Sequence, residues 1–474
     1  MTFKLRSIAA ATTAALIMGF GFNAMADSTT DIVNALVTKG VLTEEEGALL
    51  TKGHTDEAAG QAKAMKKASK LSVSDAIDKA TVYGDIRVRY EDRSNTVQST
   101  TATNGTDNSL GRSRYKVTFG IKTDTADSNW YSDLAFAMGS KGRSDNADFG
   151  TNTGSSAQGD VNGKQALYVK RAMVGFKATD WLTIEAGRMT NPLYTTPMVW
   201  DADLTVEGLS EQAKFKAGDA EISLVALQDI YTAIRKVNNG VPQVQSSSSI
   251  ATGDAELLAF QAAAKYAFND VTSAKAGITY TTYTKNAYAT NFGAGNTATS
   301  AFSANDLNTI EIPAEVNYMA ASNVGVRLFG DYVVNTSADD RAKHSAIAAA
   351  ANGSSNSDGS AWMLGAHVGS AKDLKGFESN KMVKGDWSAR LWYQDVGAWA
   401  LDAALVDSDI FDSRVNIKGT TFKAQYNIED AVALNFAYAH GKKKNSAYYA
   451  FGSGDMGGDL AKIDLVQVDL TYKF

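Results

Sequence analysis

Charged residues at alternate positions are the groups in this chain whose spacing suggests chemistry, and that chemistry is electrostatic steering. Arg87 and Arg89 fall two apart in TVYGDIRVRYEDR, Arg114 and Lys116 two apart in SRYKVTFGIK, and Arg171 follows in a third such run. A period of two places each set on one face of a β-strand, and a first-hairpin register would bring the first four together. The stretch from Lys170 to Gln212 adds Gly187-Arg188, then two of the chain's four prolines, Pro192 and Pro197, then the acids Asp201, Asp203 and Glu207. Strict alternation would put Arg188 outward, where an arginine near a bilayer midplane costs roughly 2–4 kcal/mol. The strand is therefore expected to leave its register at Gly187 and turn Arg188 inward. Proline is unwelcome in a central strand, so about 189–208 reads as a loop. Its acids, facing a basic wall across a narrow wet gap, would create a transverse field that orients polar solutes and tunes ion preference. Asp85, Glu91, Asp133, Glu311 and Glu315 also point inward, so the sign of selectivity stays open.

Bond-making chemistry has little to work with. There is no cysteine, which excludes disulfides, thiolate zinc sites and cysteine nucleophiles. The four histidines, His54, His344, His367 and His440, lie in separate segments. His440 falls on an outward face near a rim, where a serine such as Ser446 could pair with it, but it reads as an interface residue. No glycine-rich phosphate loop and no metal-ligand spacing is found. No catalytic residue, metal or cofactor is expected. Net charge is −6, and losing Lys4 and Arg6 with a leader would make it −8, so nucleic acid is not an expected partner.

The elements that must position these charges are strands. From Thr81 to the end the sequence keeps a period of two, with Ile86, Val88 and Tyr90 opposing Asp85, Arg87, Arg89 and Glu91, and the same alternation around Leu328, Phe436 and Leu470. Tight turns at 123–129, 177–180, 217–220, 269–272, 321–323 and 428–430 alternate with long polar runs such as 93–111, 140–165, 230–254, 286–305 and 336–359. A soluble sandwich rarely needs a long loop at every second connection, whereas a transmembrane antiparallel β-barrel has short turns at one end and long loops at the other. Sixteen strands are expected, with eighteen, and less so fourteen, as alternatives. Pro313 falls inside the tenth.

The first 26 residues read as a signal peptide: Lys4 and Arg6, an apolar stretch from Ile8 to Phe22, and Ala24-Met25-Ala26 before a cleavage at Asp27. Residues 27–80 read as a helical segment, with Gly40 as a stop and Thr43 and Glu46 as a capping box. It serves as a spacer or an oligomerisation element. Residues 81–474 form the barrel.

The final strand, KIDLVQVDLTYKF, puts Val466, Val468, Leu470 and Tyr472 on one face and must pair with the first, because unpaired backbone in lipid costs several kcal/mol per group. Trp130, Phe176, Phe268, Tyr318, Tyr426 and Phe474 sit beside short turns or the terminus on the apolar face, as an aromatic girdle would.

Layout over residues 82–474, Gly187-Arg188 with the loop after it, and the last strand resemble the general diffusion porins of Gram-negative bacteria. WDADLTVEGL and DSDIFDSRVNIKGTTFKAQYNI are more similar to the proteobacterial putative porins. The resemblance implies a third loop folded into the barrel, with Arg188 matching a ladder arginine and Asp201, Asp203 and Glu207 matching loop acids by place. It implies a homotrimer in the outer membrane, in contact with its lipid. Phe474 and Tyr472 resemble the signal read by the barrel-assembly machinery. The function implied is passive diffusion of small hydrophilic solutes and ions through a water-filled channel. A substrate-selective channel for phosphate or sugars, or a structural tether or adhesin, are the alternatives.

Overall fold

The computed structural model describes residues 74–97, 106–139, 144–150, 164–232, 236–238, 241–243, 255–284, 306–343, 358–448, 452, 455–456 and 459–474. The chain divides between Asp75 and Ala76. The helices expected before the barrel lie outside the described residues, and Ile77 to Ala80 already belong to the first strand.

Sixteen long strands are found among the described residues. The first four are β1 (Ile77–Val97), β2 (Thr106–Thr125), β3 (Trp130–Met138) and β4 (Leu167–Lys177). They are followed by β5 (Leu182–Thr190), β6 (Thr205–Ala217), β7 (Ala220–Thr232) and β8 (Ala255–Asn269). Next come β9 (Thr272–Tyr283), β10 (Thr309–Ala321), β11 (Val324–Asn335) and β12 (Ser360–Ser370). The last are β13 (Trp387–Val396), β14 (Ile417–Glu429), β15 (Val432–Lys443) and β16 (Leu460–Lys473). Each pairs antiparallel with the next, and β16 returns to β1 with Tyr472 opposite Ile86 and Leu470 opposite Val88. The seam is finished by the terminus itself: Gly84 N donates to Phe474 O at 2.9 Å and Phe474 N to Gly84 O at 3.1 Å. The sheet is a closed barrel without an edge, which is what lipid demands of strands.

Burial is inverted relative to a soluble sheet. On β1 the apolar Val88 and Tyr90 are 46% and 53% exposed, while Arg89, Glu91 and Arg93 between and beyond them are at most 4% exposed. The alternation that separates these faces is the same one that makes the strand, since a period of two leaves no other arrangement. Trp130, Phe268, Tyr318, Tyr426 and Phe474 are exposed at the short-turn end, and Phe176 packs 4.6 Å from the ring of Trp130.

Several boundaries differ from the sequence reading. The first strand starts at Ile77 and runs to Val97, and the second starts at Thr106, so most of the polar run 93–111 is strand. The sixth starts at Thr205, which moves Glu207 out of the loop, and the thirteenth at Trp387. The connection between β12 and β13, residues 371–386, is the longest at the short-turn end and carries a helix, α2 (Leu374–Glu378). The other described helices are α1 (Ala338–Lys343), after β11, and α3 (Ser408–Phe411), before β14. Pro313 does lie within β10, and the β9–β10 ladder passes from Ala276↔Ala314 to Thr279↔Glu311 around it, as expected where a residue has no N–H to donate.

Candidate functional site

The third loop, residues 191–204, turns into the barrel and docks on the wall of β8–β11. Tyr194 N donates to Gln261 Oε1 at 2.8 Å, and Gln261 Nε2 returns the bond to Tyr194 O at 2.8 Å. The hydroxyls of Thr195 and Thr196 donate to Glu311 at 2.6 Å and Asp331 at 2.5 Å. The Lys275 ammonium sits 3.7 Å from the Tyr194 ring centroid, a cation–π contact. The loop thus brings hydroxyls and an aromatic ring to a wall that supplies the charges.

A second loop enters beside it. Residues 397–416, the seventh long connection, bury Trp399, Leu401, Ile410 and Phe411 against Met198 of the third loop and against the wall residues Met363, Trp392 and Leu465. Burying large apolar side chains stabilises such a plug by about 1.5–3 kcal/mol each. The loops are also latched by polar contacts. Asp201 N donates to Leu405 O at 2.6 Å, and Ser408 donates to the Asp201 carboxylate through Oγ at 2.7 Å and N at 3.0 Å. Asp407 caps α3, accepting from the backbone N of Asp409 at 2.7 Å and of Ile410 at 3.1 Å.

The tip of α3 meets the arginines of β1. Arg89 donates to Asp409 at 2.9 Å and, through Nε, to Asp469 of β16 at 2.7 Å. Arg93 reaches Asp412 at 3.2 Å and the carbonyls of Ser408 at 3.3 Å and Asp409 at 3.1 Å. Glu91, fully buried, accepts from Arg93 at 3.1 Å, Arg112 at 2.5 Å and Gln467 at 2.8 Å. Burial pushes the Asp409 carboxyl up, but Arg89, Arg87 and Arg93 outweigh it and hold the group well below the usual carboxylate range. Asp407 is pushed up to about 6 by burial, and Asp201 and Asp409 add to the rise against the pull of Lys423. Asp201 is raised too, by burial first and then by Asp203.

The five wall cations named from the sequence are all on the lumen face. Arg87 bonds Asn146 at 2.5 Å and lies 3.8 Å from Asp469. Arg114 pairs with Asp148 at 2.7 Å, Lys116 with Asp85 at 3.3 Å, and Arg171 with Asp133 at 2.9 Å. Arg89 and Arg114 stand opposite each other in the β1–β2 ladder.

Arg188 is elsewhere. Gly187 has the unusual φ of +116°, but the alternation continues through it, so Met189 is buried in the lumen and Arg188 lies opposite outward-facing Ala172 and Glu207. Its guanidinium pairs with the Glu207 carboxylate and donates to Lys170 O at 3.2 Å. That cross-strand pairing, near the end of β5, offsets the cost that made an inward turn seem necessary. Glu207 accordingly faces outward as well. Asp201 and Asp203 remain in the third loop, with Asp203 N donating to Asp201 at 2.9 Å, but Asp201 bonds the seventh loop rather than the β1–β2 wall. The loop carboxylates that do face that wall are Asp148 of the second long connection, which pairs with Arg112 and Arg114, Asp409 and Asp412 of the seventh loop, and Asp455 of the eighth, which contacts Arg112. The signal of the seventh loop was present in DSDIFDSR, where Asp407 precedes a short helix and Asp409 and Asp412 follow on its turns. No group of three or more potential metal ligands exists among the described residues.

A family model described as "Putative porin" matches residues 91–306 and 286–474. No curated protein matches the chain in sequence. Among solved structures it is similar to the outer membrane channel DcaP of Acinetobacter baumannii, at 12% identity, 84% of this chain, 97% of that chain and a TM-score of 0.39. It is also similar to OpdQ of Pseudomonas aeruginosa, at 10% identity, 85% and 99% coverage and a TM-score of 0.39. A mutant of the Rh. blastica porin aligns at 11% identity, 84% and 100% coverage and a TM-score of 0.38.

Proposed function

The chain belongs to this porin family, and from that premise we propose that its third and seventh loops together form the filter of the channel. The protein is an outer-membrane channel for passive diffusion. The observation that carries the reading is the inverted burial of a closed barrel: large apolar side chains cover its outside, while the charged ones lie inside, beside the apolar patch on which the loops dock. Such a wall is soluble in lipid and wettable within. Small hydrophilic solutes and ions pass down their gradients, and the protein acts as a channel rather than an enzyme.

The filter is asymmetric. On one side Arg87, Arg89 and Arg93 are compensated by Asp409, Asp412 and Asp469, and Arg114 by Asp148; on the other Glu311 and Asp331 accept from loop hydroxyls. Solutes squeeze between the docked loops and the wall, where a low-dielectric surround strengthens every charge. Residues 1–26 act as a cleaved export signal, Tyr472 and Phe474 present the end recognised by the barrel-assembly machinery, and the barrel resides in lipid as a homotrimer. The exposed Phe474 ring, at 47%, supports that presentation.

Planar-bilayer recording tests the reading. Purified, folded protein should give stepwise, long-lived openings whose size falls as neutral solutes of increasing radius are added. Persistent silence of folded preparations would exclude it and favour a tether.

A further inference from the structure

A row of cations crosses four consecutive strands of the lumen wall and takes no part in latching the loops to β1. Arg327 of β11 stands opposite His367 of β12, His367 opposite Arg390 of β13, and Arg390 opposite Lys423 of β14. Leu328, Leu364 and Leu391, from the alternate positions, project outward at 59%, 64% and 51% exposure, so the row faces the lumen. Arg327, His367 and Arg390 lie toward the short-turn end of their strands and Lys423 near mid-strand, within the field of Asp407 of the seventh loop.

Like charges directly opposite one another on a sheet destabilise it, and little compensates these. Arg327 donates to Asn317 at 2.6 Å and lies 3.7 Å from Glu315. Lys423 is felt by Asp407 of the seventh loop without an ion pair. Arg390 makes no ion pair or hydrogen bond among the described residues; the field of Glu315 reaches it without contact. His367 is 3% exposed, and its Nδ1 is buried with no hydrogen-bond partner. A buried polar atom left unpaired costs about 1–3 kcal/mol. The arginines of β1 and β2, by contrast, are each met by a carboxylate.

Aromatic faces line the same row. Phe377 of α2 stacks on His367 at 5.1 Å and lies 5.5 Å from the Arg327 guanidinium; Phe329 is 5.8 Å from that of Arg390, and Trp392 is 5.7 Å from the Lys423 ammonium. Such walls focus the field of the cations, and two guanidinium forks suit the paired oxygens of a carboxylate or phosphate.

We propose that Arg327, His367, Arg390 and Lys423 form an anion track, a site that binds the carboxylate or phosphate oxyanion of a small solute on its way through the barrel. The proposal rests on the channel reading and assigns that channel its substrate class.

Reversal potentials in a salt gradient, with inorganic phosphate or benzoate added to one side, test it. R390Q and K423Q are compared with wild type and with R390K, which keeps the charge, and folding of each is checked by its heat-modifiable migration in detergent gels. A unit charge about 7 Å from a permeating ion in water changes its local concentration about threefold. Neutralising it lowers anion occupancy and raises cation occupancy by that factor each, so the anion-to-cation permeability ratio should fall by up to about ninefold. The phosphate- or benzoate-induced block should weaken in step, while R390K stays near wild type. Block by phosphate alone assigns the site to compact oxyanions; block by benzoate as well assigns it to carboxylates with an aromatic body. A conducting wild type whose ratio and block survive both substitutions overturns the track and leaves the channel standing. A folded wild type that never conducts overturns the channel reading itself.

Discussion

Arg89 is held by two carboxylates distant in sequence, Asp469 on the adjoining strand at 2.7 Å and Asp409 of the seventh loop at 2.9 Å. The first contact belongs to the closing seam of the barrel and the second to the plug inside it, so one side chain ties wall to loop. Breaking a buried ion pair from one side costs on the order of 3–5 kcal/mol, because the surviving charge is stranded. Asp409→Asn should release the loop and leave the Arg89–Asp469 pair in place. The expected outcome is a larger single-channel conductance or frequent transitions to a larger state, with heat stability of the barrel little changed. Arg89→Gln should lower that stability as well, since it also removes the seam contact.

The latch between the two loops should respond to acid. Asp407 has its carboxyl pushed up to about 6, above the unfolded value of about 4. A raised folded value favours the docked loop while the group is protonated, and that contribution is lost as pH rises from about 4 through 6. Asp201, raised in the same direction, adds to it. Asp409 works oppositely but is depressed, so its contribution is lost only at pH values below the unfolded range. Between pH 7 and 5, therefore, docking should tighten and mean conductance should fall. In Asp407→Asn, which still caps the helix, much of that dependence should vanish, as bilayer recordings at the two pH values would reveal.

Arg188 distinguishes the geometry from the expectation raised by Gly187-Arg188 and its following loop. Because it pairs outward with Glu207, Arg188→Gln should leave ion selectivity where it was. A shift in reversal potential comparable to that of Arg390→Gln would contradict the outward placement. The pair is part-exposed, so stability should change by no more than about 1 kcal/mol.

What was legible in the sequence, and what was not, divides along physical lines. A period of two states which side chains share a face, so the lumen positions of Arg87, Arg89, Arg114, Lys116 and Arg171 could be read directly. Sixteen strands and their closure followed from the spacing of turns. Arg188 was misplaced because a local cost, an arginine facing lipid, was weighed without its partner, and Glu207 becomes that partner only when β6 begins at Thr205. The seventh loop was missed for a related reason. Nothing near Asp409 in the chain says that Arg89 will lie beside it, since that contact is set by barrel closure and loop docking. The row from Arg327 to Lys423 stayed hidden because each strand contributes one cation, and only the register aligns them.

Gly84 offers a test of the seam itself. A Cβ there would lie 2.2 Å from Thr118 O and 2.7 Å from the Phe474 ring. The ring can swing away, but the carbonyl belongs to β2, and moving it disturbs the β1–β2 ladder at Gly84↔Phe119 and Asp85↔Thr118. Gly84→Ala should therefore destabilise the barrel by about 1–3 kcal/mol, the usual cost of overpacking, seen as a lower temperature for loss of the compact gel form. Phe474→Ala in the same chain separates the two clashes. If the ring were the obstacle, the double variant would recover; since the carbonyl remains at 2.2 Å, it should stay as unstable as Gly84→Ala alone, and recovery would show that the terminal ring, not the strand backbone, sets the size limit at the seam.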